Sequence, residues 1–198
     1  MKSLTVYAGS TGGPSAAFAT AAAALGHQIG ESGLTMVYGG GRIGLMGDVA
    51  RAAKAAGARV VGVMTRALIA HEQGWDQCDE MIVVESMRER KAIMEERGDA
   101  ICALPGGMGT YEELFEAITG RVIARHGKPI GLLDVEGHFA AVLALIDQGV
   151  EQGFIRAGTR ALLQHDTDPA RLLQRLRSAE LSDDPRDLLP MYGRPGAG

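Results

Sequence analysis

The chain has 198 residues, 46% hydrophobic and 22% charged, enough to bury one substantial core and most simply a single domain. Its net charge of −4 gives no basic footprint for nucleic acid, and no apolar run reaches the roughly 18 residues a membrane helix requires, so neither is an expected partner. No segment reads as a signal peptide, and neither Cys78 and Cys102 nor the histidines at 27, 71, 126, 138 and 165 have metal-ligand spacing, so a cytoplasmic protein with reduced thiols and no metal is expected.

In chain order, short β-branched or apolar runs alternate with segments of helical period. Strands are expected at Leu4 to Ala8, Leu34 to Tyr38, Val60 to Met64, Met81 to Val84, Ala100 to Leu104 and Ile130 to Leu133. Helices are expected at Ser15 to Ile29, Gly44 to Ala56, Met87 to Arg97, Tyr111 to Arg125 and Phe139 to Gln152, with a last amphipathic helix at Asp168 to Ser178. This order argues for an α/β fold, a Rossmann-like three-layer sandwich whose parallel sheet is flanked by helices and binds ligands at the carboxyl ends of its strands. Residues 1–180 form the expected domain, and 181–198, rich in Pro, Gly and Asp, reads as a flexible tail.

Glycine supplies 28 of the 198 residues, about double the usual ~7% share, and it gathers at the ends of predicted strands. Turns of this kind stand at Gly9 to Gly13, Gly39 to Gly44 and Pro105 to Gly109. The second satisfies G-x-G-x-x-G, but the expected ribose-binding acid about 20 positions on is missing, and Arg66 stands there instead, which leaves an NADP reading open. Close helix-to-strand packing is the alternative for these glycines and the favoured reading for Gly44. The third turn, followed by Thr110, Tyr111, Glu112 and Glu113, combines an anion-binding strand-to-helix junction with a pair of carboxylates that a simple phosphate cradle does not need.

The segment from Ser86 carries a second signal. Ser86 and Glu89 have capping-box spacing, and Met87, Arg90, Lys91 and Met94 share one helical face. Either Arg90 and Lys91 lay apolar stems along a half-exposed helix, or they face an anionic substrate. Arg88 lies off that stripe and reads as a solvated charge. Thr110 and Glu113 also have capping-box spacing, so a purely structural role for Glu113 stands beside a catalytic one.

The run Pro105 to Glu113, which fulfils Pro-Gly-Gly-x-Gly-Thr-x-x-Glu, together with Met87-x-x-Arg90-Lys91, resembles the Lonely guy family of cytokinin-activating phosphoribohydrolases. Tyr7-x-Gly9-Ser10, the stretch Val37 to Gly47, and Lys128 to Leu133 extend the resemblance, which runs from about Tyr7 to Ile155. Many relatives carry a lysine decarboxylase label, for which this chain shows no recognisable pyridoxal-lysine context.

The resemblance implies hydrolysis of the N-glycosidic bond of a nucleoside 5′-monophosphate, cytokinin riboside monophosphate or AMP, to free base and ribose 5-phosphate without a cofactor. It implies Arg90 and Glu113 as the catalytic pair, with Glu72, Lys91, Gly106, Gly107, Met108, Gly109, Thr110, Tyr111, Glu112 and Thr119 as binding positions. It also implies a homodimer or higher homo-oligomer. Where relatives read Thr-Trp-x-Gln-Leu-Gly-x-His, this chain has Thr119-Gly120-Arg121-Val122-Ile123-Ala124-Arg125-His126, which puts base preference in question. His126 reads as a surface residue before the Gly127-Lys128-Pro129 turn. Two other functions stay open: a nucleotide or phosphorylated-cofactor carrier without turnover, and an NADP-linked Rossmann enzyme.

Overall fold

A computed structural model describes residues 1–72 and 74–179, the side chains of 70–72 excepted. The tail expected at 181–198 lies outside the described residues. The strands are β1 (Ser3–Tyr7), β2 (Thr35–Tyr38), β3 (Val60–Thr65), β4 (Glu80–Val84), β5 (Ala100–Ala103), β6 (Ile130–Leu133) and β7 (Leu163–Asp166). They form a 7-stranded sheet in the order β4-β3-β2-β1-β5-β6-β7, and every pairing is parallel. The helices are α1 (Ala16–Glu31), α2 (Gly44–Ala55), α3 (Arg66–Glu72), α4 (Met87–Arg97), α5 (Met108–Val122), α6 (Ala140–Glu151), α7 (Ala157–Ala161) and α8 (Pro169–Ser178).

Residue alternation divides the core between the two faces of the sheet. Leu4, Val6, Met36, Tyr38, Ala100 and Cys102 face α1, α2 and α8, where Leu25, Ile29, Val49 and Leu172 close the layer. Tyr7, Val37, Val63, Ile101 and Leu132 face the other way, toward Met94 of α4, Leu114 and Ile118 of α5, and Ile146 of α6. Each fully buried aliphatic side chain of this kind contributes about 1.5–3 kcal/mol.

Sheet order reverses between β1 and β5, the position where open α/β sheets leave a ligand crevice at their carboxyl edge. Register pairs Tyr7 with Ala103 and Val6 with Tyr38, so the turns after β1, β2 and β5 leave the sheet side by side. The Gly9 amide donates to the Pro105 carbonyl at 3.0 Å and ties two of them together.

The expected elements all form, with shifted ends. The helix expected from Tyr111 begins at Met108, and Gly107 stands at its N-cap in extended conformation. It stops at Val122 because Ala124 turns left-handed, at φ 57, while the Arg125 amide reaches back to Gly120 and that of Ala124 to Arg121. That closure draws His126 inward. Its side chain is 6% exposed, its Nδ1 accepts from the Lys128 amide at 3.2 Å, and its Nε2 pairs with the Ala117 carbonyl at 3.1 Å. The surface position expected for His126 is therefore wrong: the residue plugs the end of α5.

Candidate active site

Arg90 enters the crevice from the first turn of α4. Ser86 starts that helix by accepting from the Glu89 amide at 3.2 Å, and the Glu89 carboxylate returns to the Glu85 amide, so the helix is fixed at the turn that carries the arginine. The Arg90 guanidinium is 7% exposed and donates in three directions: to the Val63 carbonyl at 2.9 Å, the Gly39 carbonyl at 3.1 Å and Glu113 Oε1 at 3.4 Å. Gly39 has no room for a side chain, since a Cβ there would collide with Nη2 of Arg90. This glycine makes space for the cation.

Glu113 comes from the second turn of α5 and is 11% exposed. The capping alternative for it does not form, because Thr110 lies inside the helix and Gly107 occupies the N-cap without a side-chain bond. Uncapped, the helix offers no internal acceptor to the amides of Met108, Gly109 and Thr110, and its dipole adds partial positive charge at the same place. Arg90, Glu113 and Gly107 to Thr110 line one cleft of about 190 Å³. Tyr7, Gly9, Ser10, Gly39, Met46 and Met94 complete much of its wall. Burial, followed by the nearby Glu113 carboxylate, raises the Tyr7 hydroxyl well above its ordinary pKa, so it stays protonated and can serve only as a neutral hydrogen-bonding group.

Other positions expected at the site face elsewhere. The Gly106 amide donates to His138 Nε2 at 3.2 Å, and the Tyr111 hydroxyl pairs with that nitrogen at 2.9 Å, so neither polar group is directed into the cleft. Lys91 Nζ contacts Glu112 and lies 2.6 Å from Glu116 Oε2, on the outer side of α4 and α5. Those bonds, Glu112 first, raise its pKa. Thr119 is exposed two turns further along α5. Glu72 closes α3, and its side chain lies outside the described residues. Arg88 is exposed, as expected.

Two glycines of the G-x-G-x-x-G match have packing roles. Gly39 accommodates Arg90, and Gly44, at φ 59, lies so close to Ser10 that a Cβ would meet that residue's backbone. The motif follows β2 rather than β1, and Arg66 pairs with Glu85 at the surface, at 3.1 Å. Among the residues sequence reading left without a site role, Tyr7 and Gly39 sit inside motifs that carried the family resemblance. His138 carries no local signal at all.

Residues 46–176 match the family model described as possible lysine decarboxylase. The chain belongs to this family, the Lonely guy family of the resemblance. It is 41% identical over 173 residues to the protein of Oryza sativa subsp. japonica named probable cytokinin riboside 5′-monophosphate phosphoribohydrolase LOGL1, covering 87% of this chain and 78% of that one. It is 39% identical over 173 residues to cytokinin riboside 5′-monophosphate phosphoribohydrolase LOG2 of Arabidopsis thaliana, covering 87% and 81%. Among solved structures, the molybdenum cofactor binding protein of Rippkaea orientalis is similar with a TM-score of 0.67 at 21% identity, over 90% of this chain and 97% of that one. The molybdenum cofactor carrier protein of Chlamydomonas reinhardtii has a TM-score of 0.66 at 22% identity, over 89% and 98%. These two share the fold.

Proposed function

We propose that this member of the Lonely guy family hydrolyses the N-glycosidic bond of a nucleoside 5′-monophosphate, cytokinin riboside monophosphate or AMP, releasing free base and ribose 5-phosphate. The observation that carries the reading is the buried Arg90–Glu113 pair in the same cleft as the uncapped start of α5. Phosphate at the amides of Gly107 to Thr110 places the ribose toward Glu113. Breaking the ribosyl bond develops positive charge at C1′ and O4′, which the carboxylate stabilises. Water supplies hydroxyl to C1′ and a proton to the departing base. Arg90 holds the carboxylate and balances its charge while the substrate is absent.

In this scheme Lys91 and Glu112 pair outside the cleft, Tyr111 supports the turn, and Glu72 and Thr119 keep the binding roles that the family resemblance implies. A carrier needs the phosphate seat but not a buried carboxylate beside the sugar, so Glu113 favours turnover. The relatives' names, which state phosphoribohydrolase activity, support the same reading.

Self-association belongs to the proposal as well. Met108, Leu145 and Phe154 are 82%, 55% and 84% exposed, and Met108 and Leu145 border an apolar groove between α5 and α6. Light scattering at micromolar concentration is expected to give at least a dimer, and a monomer would overturn that part. For the activity itself, purified protein is incubated with AMP and with isopentenyladenosine monophosphate. Free base from either supports the hydrolase; tight binding of both without release of base would favour a carrier instead.

A further inference from the structure

His138 sits in the loop between β6 and α6, away from the cleft wall, yet it touches both ends of the run that faces the cleft. Its Nε2 accepts from the Gly106 amide at 3.2 Å and pairs with the Tyr111 hydroxyl at 2.9 Å. An amide can only donate, so Nε2 carries no proton and Nδ1 does; the Tyr111 hydroxyl must then donate too. The ring is held on several sides. Tyr111 stacks on it with centroids 5.8 Å apart and planes 11° from parallel, and Phe18 and Phe139 meet it edge-on at 6.2 and 5.1 Å. Helix α1, the start of α5 and the β6–α6 loop thus converge on one imidazole.

The stretch between its two anchor points needs such a hold. Gly107 and Gly109 have no side chains to fix the start of the helix, the N-cap has no side-chain bond, and the turn passes so close to Thr110 that a Cβ on Gly106 would strike the Thr110 hydroxyl. Met108, Gly109 and Thr110 already belong to the first turn of α5, so an external clamp acts by fixing the Gly106–Gly107 approach to that turn before an anion arrives. We propose that His138 is a positioning residue for the phosphate seat, holding Gly106 and Tyr111 so that the amides of Gly107 to Thr110 point at a phosphate monoester. The inference rests on the nucleotide reading above.

The test compares wild type, His138→Phe and His138→Gln by calorimetric binding of ribose 5-phosphate and by steady-state kinetics with AMP. Phenylalanine keeps the ring contacts and loses the acceptor; glutamine keeps an acceptor near the same place. His138→Phe is expected to weaken ribose 5-phosphate binding about tenfold and to raise KM for AMP more than it lowers kcat. His138→Gln is expected to recover most of that affinity. Unchanged binding in His138→Phe, or glutamine no better than phenylalanine, overturns the proposal. Should His138→Phe fail to fold, Tyr111→Phe replaces it: an affinity loss of about threefold is expected, and wild-type affinity overturns the inference. A wild-type protein that binds ribose 5-phosphate but frees no base removes the hydrolase reading and leaves the comparison of variants intact; one that binds no ribose 5-phosphate removes both.

Discussion

Arg90 Nη1 and Glu113 Oε1 lie 3.4 Å apart, joining the first turn of α4 to the second turn of α5 across the carboxyl edge of the sheet. Neither side chain is more than 11% exposed, so the Arg90 cation depends on Glu113 and on the carbonyls of Val63 and Gly39 for its solvation. A surface ion pair would contribute little; in the proposed reaction, a pair this enclosed would meet the charge that develops on the ribose.

Glu113→Gln preserves shape and can still accept a hydrogen bond from Arg90, but it removes the negative charge. We expect kcat for base release from AMP to fall by about 10²–10³, with an unfolding free energy lowered by less than about 2 kcal/mol. Paired turnover and urea denaturation measurements check both. Full turnover in this variant ends the catalytic assignment.

Gly39→Ala places a methyl group well inside contact distance of Nη2 of Arg90. The guanidinium must withdraw from the Gly39 carbonyl and from Glu113, and kcat/KM for AMP is expected to drop at least about tenfold. Serial kinetics on Gly39→Ala and on Gly12→Ala, where nothing lies within 4 Å of an added Cβ, separate this effect from a general loss of glycine.

Much of the architecture could be read from alternation and from glycine placement. The strand and helix order was clear because β2, β3 and β5 are nearly continuous apolar runs, as buried parallel strands require, and β1 is a short β-branched and apolar run. β7 escaped notice because Leu163-Gln164-His165-Asp166 pairs with β6 alone at the sheet edge and is largely polar. α3 and α7 are too short for helical period to register. Motif spacing brought Arg90 and Glu113 to notice, whereas the hold of His138 on Gly106 and Tyr111 joins residues 32 and 27 positions apart, which no local pattern records.

Ala124 adopts φ 57 where a glycine would ordinarily close the helix. Ala124→Gly removes the steric cost of a left-handed Cβ and adds some freedom to the unfolded chain, for a net gain of roughly 0.5–1 kcal/mol. A rise in thermal midpoint at unchanged activity is the expected result, read by calorimetry.

Burial holds the His126 imidazole below its ordinary pKa, and the neutral ring uses both nitrogens. The unfolded chain therefore takes up a proton that the folded state declines as pH falls below about 6.5. This group's contribution to stability is complete above that value and is lost on acidification. In urea denaturation between pH 7.5 and 5.5, wild type should lose stability faster than His126→Asn; parallel lines for the two would contradict the assignment.

The central claim, that the Glu113 carboxylate faces the sugar of a bound mononucleotide, is tested most directly by a crystal structure of Glu113→Gln with AMP. The expected complex has the phosphate on the amides of Gly107 to Thr110 and the side chain at position 113 within about 4 Å of C1′ or the ribose hydroxyls. A ribose bound away from that side chain, or a phosphate seated elsewhere in the crevice, would contradict it.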